Sequence, residues 1–525
     1  MSERRVHVGS ALAADLTVEA DVIVVGTGAG GGVAAEILAG AGLRVAMVEE
    51  GQLRAAAEVP LREPWTFSRL YREGGAMPTR DGALSVVQGR VVGGSTVVNW
   101  TSSFRTPEQT LRHWRDRHGI TGLGVEDLAP YFDAIERRLN IGPWHDHNRN
   151  NQLLIRGAEK LGWSHGAIRR NVRDCAGHGT CGLACPVAAK QSMDVTTIPS
   201  ALDQGAVLVT RVRAERLELR GDRVTGVTAV ALDERGVRAT GRRVHLRAPW
   251  VVVSAGAIQS PALLLRSRVP DPHGRVGRRT FLQLHNYSLS FMPEPVRPFE
   301  GAPQSAYSDQ FTWRDGVTGR AGFNMEVVGA QPVVSMTFWR GMGREMADYA
   351  RRLPHLHILV SQIRDGFHDD SQGGVVRLRA DGAGVLDYAI DDYLRDGIRS
   401  SYLAMAECQL AAGAERVHPA CSDARAYRTW SEARAGISSL ALRAPNVYLN
   451  STHPLGGCAM GGDPRASVVR ADGRHHHLEN LYVIDGSVFP TSLGVNPCES
   501  IYALAARNAA LLAERIASRP RAIHT

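Results

Sequence analysis

A chain of 525 residues is longer than one ordinary hydrophobic core sustains, so two domains are expected. Its 44% hydrophobic and 22% charged residues are those of an ordinary soluble globular protein, and no run of about 18 apolar residues occurs that would span a membrane. The net charge of +8 is dispersed and almost all arginine, with no basic block interleaved with aromatics, which argues against a nucleic-acid partner. Seven cysteines, an odd number in so long a chain, argue against a disulfide framework and for a reducing compartment, with the cytoplasm as the expected location. The N-terminal stretch carries the arginine pair Arg4 and Arg5 but lacks the long apolar segment of a secretory signal.

Residues 21–51 read as strand, glycine turn, helix and second strand. Residues 22–25 are the short apolar run that a doubly covered parallel strand needs. They lead into Gly26-Thr-Gly28-Ala-Gly-Gly31, in which Gly26 permits the tight turn, Gly28 lets backbone approach a diphosphate and Gly31 lets the helix pack closely on the strand. The free N–H groups and positive end of that helix favour the diphosphate. Glu49 ends the next strand, where an acid accepts hydrogen bonds from an adenosine ribose. Strand, motif, helix, strand and acid in this order predict a dinucleotide site.

Residues 88–100, QGRVVGGSTVVNW, suit either backbone passing close to a flat ligand or a tight loop on a core edge. Apolar residues return at helical spacing over 106–139 and predict packing helices. Cys175, Cys181 and Cys185, with His178 among them, crowd the loop 174–186. Three thiolates can hold an iron–sulfur cluster, and with His178 a zinc ion; packing without metal is favoured because the usual ligand set is incomplete. Strand patterns follow at 206–210, 224–232 and 244–246, and residues 250–261 form a second buried strand that turns through Gly256 into a helix. The nucleotide-binding domain is therefore assembled from separated pieces of chain.

From 280 to 440, strand-like segments at 282–292, 333–339 and 356–363 and a helix near 394–412 predict a largely antiparallel substrate domain. Glu326 and Glu407 lie there, with nothing local to distinguish a catalytic acid from a solvated one. In the last quarter, residues 447–461 put His453 at a strand end against glycine-rich backbone, and 480–490 form a buried strand ending in Asp485-Gly486. Asn496-Pro497-Cys-Glu499 opens a long helix; Asn496 is a natural N-cap with Glu499 completing a capping box, and its side chain can also look outward. His475 to His477 read as an exposed turn.

GTGAGG at 26–31 with Glu49, GRVVGGSTVVN at 89–99, GAIQSPALLLRS at 256–267, THPLGGCAMG at 452–461 and NLYVIDGSVFPTSLGVNP at 480–497 together resemble the glucose–methanol–choline (GMC) family of FAD-dependent oxidoreductases. The resemblance implies an α/β fold. A Rossmann-like FAD-binding domain would comprise residues 1–105, 195–280 and 441–525. A discontinuous, largely antiparallel α+β substrate domain would comprise 106–194 and 281–440. FAD is the implied cofactor, with Gly26, Gly28 and Gly31 at its diphosphate and Glu49 at the adenosine ribose. Gly93, Gly94, Ser95 and Asn99 would line the isoalloxazine, and Asp485 and Gly486 the ribityl and diphosphate region. His453 and Asn496 match the family's active-site pair. They imply oxidation of an alcohol, His453 taking the hydroxyl proton and Asn496 holding the oxygen while hydride passes to flavin N5.

Within the family, HPLGGC with GVNP resembles the cholesterol oxidases, and VNWTSSFRTPEQTLRHW with CPVAAKQS the long-chain alcohol oxidases. A long-chain, terpenoid or sterol-like alcohol is thus the expected substrate, and oxygen, a quinone or a redox protein the acceptor. The three cysteines also resemble those of cluster-bearing sugar and polyol dehydrogenases, one alternative; a non-redox lyase on the same scaffold is another. Arg268 stands where the family's second signature has glycine.

Overall fold

The computed structural model describes residues 5–339 and 341–518. Arg4 of the arginine pair and residues 519–525 of the expected FAD-binding segment lie outside them.

Six parallel strands are arranged in the order Arg5–Val8, Val207–Thr210, Val45–Glu49, Val22–Val25, Trp250–Val253 and Leu481–Val483. Their side chains alternate between two apolar clusters: Ile23, Val25, Val48 and Val253 join one, and Val22, Val24, Val45 and Val252 the other. Burial on both faces is why these strands read as continuous apolar runs. Helices Ala29–Gly40 and Cys498–Ala517 pack against each other on the second face. The edge strand Arg5–Val8 escapes the sequence pattern because it is half-exposed and lacks such a run.

Val22–Val25 lies between the strand that follows it in sequence and one more than 200 residues away, so the chain passes to opposite sides of it. A crevice opens at the carboxyl ends of strands at such a switch point.

The larger of the antiparallel sheets orders Met77–Pro78, Ser85–Val86, Leu449–Ser451, His285–Phe291, Leu356–Ile363, Phe323–Val327, Ala306–Phe311 and Gly166–Ala167, with Arg416–Pro419 pairing also to His285–Phe291. Only the Ser85–Val86 pairing with Leu449–Ser451 is parallel among its described pairs. Helix Asp392–Ala411 packs on this sheet and starts where Asp391 accepts the Leu394 N–H at 2.8 Å. Among the described residues no helix is long and apolar enough to cross a membrane.

Three local expectations are corrected. The stretch 333–339 is not a strand; Pro332–Phe338 is a helix. Pro332 suits a first helical turn, and the Glu63 carboxylate accepts the N–H groups of Val333 and Val334 at 2.7 and 2.8 Å, outweighing the β-branched composition. Asn496 does not cap the last helix, whose N-cap is Pro497 without a side-chain bond. Its amide turns instead to Glu326. His475 to His477 are not an exposed turn as a whole, because His475 is only 3% exposed and its N–H donates to the Leu481 carbonyl.

The glycine motif sets the spacing of helix on strand, since a Cβ on Gly31 would stand 1.9 Å from the Gly26 carbonyl oxygen. Replacing Gly31 with Ala forces the helix away and costs about 1–3 kcal/mol of stability, the usual price of overpacking. Urea unfolding measures this, and an unchanged midpoint would refute the close packing.

Candidate active site

The carboxyl ends of the central strands open on a cavity of about 1260 Å³. Of the residues expected at the site, Gly26, Gly28, Glu49, Gly94, Ser95, His453, Asp485 and Gly486 line it. Gly31, Gly93, Asn99 and Asn496 do not line it.

Backbone conformation explains the floor. Gly26 turns with φ +96° and Gly94 with φ +55°, and a Cβ on Gly94 would lie 2.7 Å from the Gly28 Cα. At Gly28 and Gly94 the two glycine loops therefore meet backbone to backbone. Gly93 donates its N–H to Thr27 Oγ1 at 3.0 Å, which ties the loops together. Helix Ala29–Gly40 has no side-chain cap, so its first N–H groups are left for a ligand.

The two acids are held by the protein. Glu49 accepts from Thr27 N at 3.1 Å, Thr27 Oγ1 at 2.8 Å and Gly51 N at 2.8 Å; burial nevertheless pushes its carboxyl above the ordinary range. Asp485 accepts from Gly256 N and Ser260 Oγ with one oxygen and from Ser487 N and Oγ with the other. Its carboxylate thus joins two separated chain segments beside the cavity.

Behind the second glycine loop, the buried Lys190 ammonium donates to the carbonyls of Val97, Asn99 and Cys181. This anchor, absent from the sequence reading, fastens the glycine loop to the cysteine loop. Asn99 donates to Cys498 Sγ at 3.5 Å. Cys175, Cys181 and Cys185 are free thiols, and among the described residues no group of three or more His, Cys, Asp or Glu side chains is placed to hold a metal ion.

His453 lies in the link 452–454 between Leu449–Ser451 of the large sheet and Leu455–Gly456, which pairs with Arg278–Phe281 in a smaller one. Its N–H donates to Ser451 Oγ at 3.1 Å. Its Nδ1 is 3.3 Å from Nε2 of His285. Burial, with His285 alongside, holds the His453 imidazole well below its ordinary pKa, so it is neutral at pH 7.

Glu326 is the further acid. Local sequence did not single it out, because the partners that mark it come from distant segments. It is fully buried in Phe323–Val327, receives Asn496 Nδ2 at 3.2 Å and Asn324 Nδ2 at 3.4 Å, and burial raises its pKa to about 8. Asn496 Oδ1 is buried without a hydrogen-bond partner. A protonated Glu326 can donate to that oxygen and so turn the amide nitrogen free for a ligand oxygen.

Two family models, both described as GMC oxidoreductase, match residues 67–286 and 370–505. An uncharacterized GMC-type oxidoreductase of Mycobacterium tuberculosis (strain H37Rv) is 31% identical over 490 residues, spanning 93% of this chain and 74% of the relative. This chain belongs to the GMC oxidoreductase family. A long-chain-alcohol oxidase of Arabidopsis thaliana is 28% identical over 540 residues, covering 95% of this chain and 68% of that one. A 6'''-hydroxyparomomycin C oxidase of Streptomyces lividus is 32% identical over 550 residues, covering 96% and 93%. Among solved structures, the pyridoxine 4-oxidase from Mesorbium loti superposes with a TM-score of 0.68 at 19% identity, over 95% of this chain and 100% of that one. A formate oxidase variant of Aspergillus oryzae gives 0.70 at 15%, over 96% and 99%. The fold of these structures is shared.

The chain is an oxidoreductase acting on alcohol-type substrates, with FAD as its cofactor. The cavity fits that cofactor: a floor on which Gly26, Gly30 and Gly94 have no room for a Cβ lets a diphosphate approach backbone, and the uncapped helix start supplies N–H donors to it. Arg268, where the family signature has glycine, adopts φ +54° as the C-cap of helix Gly256–Ser267, the left-handed position that glycine takes at no cost.

Because Glu326 ionises near pH 8, its proton is present below that value and lost above it. Flavin reduction by substrate is expected to fall about tenfold between about pH 7 and about pH 9, and a Glu326→Gln variant, which cannot ionise, to stay level. Parallel pH profiles of the two proteins would remove Glu326 from the site's proton inventory.

Proposed function

We propose that this protein oxidises the CH–OH group of a hydrophobic alcohol to a carbonyl, with His453 as the proton acceptor and Asn496 as the holder of the alcohol oxygen. The observation that carries this reading is a neutral imidazole on the wall of the cofactor cavity, with one ring nitrogen occupied by His285 and the other left for a ligand. Bound FAD supplies a hydride acceptor at flavin N5.

The residues divide the remaining work. His453 takes the hydroxyl proton at Nε2, which strengthens the electron push on the carbinol C–H bond. Asn496, its carbonyl held by the protonated Glu326, donates its amide to the same oxygen and sets the direction of that C–H bond. Away from His285, its strand presents Tyr287, Leu289 and Phe291 within one buried apolar cluster. These side chains pack on Phe338 and Tyr349 in the core and brace the strand that carries His285. The 28% identity to a plant long-chain-alcohol oxidase supports the hydrophobic substrate class. The 32% identity to a 6'''-hydroxyparomomycin C oxidase favours a second substrate, that compound itself. Oxygen, a quinone or a redox protein takes the electrons onward.

Anaerobic mixing with long-chain alcohols, sterols and 6'''-hydroxyparomomycin C tests the substrate class by bleaching of the flavin absorbance. Hydrophobic alcohols are expected to bleach it; bleaching by 6'''-hydroxyparomomycin C alone would replace the first reading with the second. A His453→Ala variant should keep its FAD and reduce it roughly 10²- to 10⁴-fold more slowly. An undiminished rate would take His453 out of the chemistry.

A further inference from the structure

His285 belongs to none of the motifs that mark this chain, yet it makes the closest side-chain contact described for His453. The two rings meet edge to face with centroids 4.8 Å apart and planes at 79°, and His285 Nε2 lies 3.3 Å from His453 Nδ1. Both rings are anchored on the same pair of strands. His285 pairs with Asn450 across the sheet, and His453 follows Asn450 by three residues, its N–H held by Ser451 Oγ, which itself donates to the Leu282 carbonyl. The contact is therefore built into the sheet register.

Two neutral imidazoles that touch nitrogen to nitrogen share a single hydrogen: one ring donates and the other accepts. Burial keeps both rings neutral at pH 7, His285 with a pKa of about 3. Which ring donates has a chemical consequence. If His453 Nδ1 accepts, its hydrogen sits on Nε2, and the ring has no lone pair to offer a hydroxyl. If His453 Nδ1 donates, Nε2 is a free base.

Resting on the reading of His453 as the proton acceptor, we propose that His285 is a positioning residue: its Nε2 accepts the Nδ1–H of His453 and thereby fixes the one tautomer of His453 whose Nε2 can receive a proton from the alcohol. His285 never touches the substrate in this scheme. When His453 takes up the hydroxyl proton at Nε2, the His285 lone pair faces the resulting Nδ1–H and stabilises the charge that develops. No proton leaves the pair, and none is needed from outside.

Four variants and one spectrum test this. His285→Phe should keep its FAD content and visible spectrum while slowing anaerobic flavin reduction about 10- to 100-fold, the usual cost of losing the partner that orients a histidine. His285→Gln, whose side-chain oxygen can accept the same N–H, should recover most of that loss. The double variant His285→Phe/His453→Ala should be no slower than His453→Ala alone, because a residue acting only through His453 has nothing left to orient. An additive double variant, or His285→Phe at the parent rate beside a slow His453→Ala, overturns the proposal while the reading of His453 stands. A His453→Ala variant at the parent rate removes that reading itself. If His285→Phe does not fold, nitrogen-15 spectra of histidine-labelled parent protein, with the His453 signals identified by their absence from His453→Ala, decide the matter. Hydrogen on Nδ1 supports the proposal, and hydrogen on Nε2 overturns it.

Discussion

Backbone meeting backbone is the constraint on which this structure depends. A Cβ on Gly30 would lie 1.9 Å from the Ile484 carbonyl, one on Gly26 2.3 Å from the Ser254 carbonyl, and one on Gly94 2.7 Å from the Gly28 Cα. Four pieces of chain, spread over more than 450 residues, therefore come together at one place because Gly26, Gly30 and Gly94 carry no Cβ there, and the Ser254 hydroxyl joins two of them by donating to the Ile484 carbonyl. The parallel sheet supplies the directions, since its strands all end on the same side. Asp485 then ties two of the pieces with hydrogen bonds from Gly256, Ser260 and Ser487. The cavity opens where these loops meet, and side chains such as Arg72, Gln88 and Arg266 complete its lining.

This explains what could be read from the sequence. Glycines forced by close approach stand in short contiguous motifs, and doubly buried strands stand as unbroken apolar runs, so the parallel sheet and the cofactor cavity were legible in one dimension. The antiparallel half was less so. Residues 333–339 carry strand-like composition, and their helix is decided by Glu63, which lies some 270 residues earlier. Glu326 and His285 were illegible as site residues for the same reason. Asn496 is 170 residues from Glu326, and His453 is 168 residues from His285. Neither acid nor imidazole has a local signal, because what distinguishes each is a partner brought by the sheet register.

The electrostatics around His453 follow from burial. A solvated imidazole titrates near neutrality and a solvated carboxylate is charged; here the imidazoles are driven neutral and Glu326 is driven toward its protonated form. Both shifts leave His453, His285 and most of Glu326 uncharged at pH 7 before substrate arrives. In such surroundings a proton moved to His453 creates a new charge in a low dielectric, and fixed dipoles around it act at nearly full strength. Neutral donors and acceptors can then be specified by tautomer and amide orientation, and that needs partners: His285 for His453, and Glu326 for Asn496.

The link 452–454 shows how such partners are held to within hydrogen-bond tolerance. One end of it is fixed in the large sheet through Leu449–Ser451, and the other in a smaller sheet through Leu455–Gly456. Gly456 and Gly457, with φ +80° and +93°, make the sharp exit that so short a span requires, and a Cβ on Gly456 would meet the Arg279 carbonyl at 2.0 Å. A link clamped at both ends has few conformations to lose when a ligand arrives. The position of His453 is thus fixed by two sheets and two glycines, and the packed core of the strand that carries His285 holds its partner ring equally firmly.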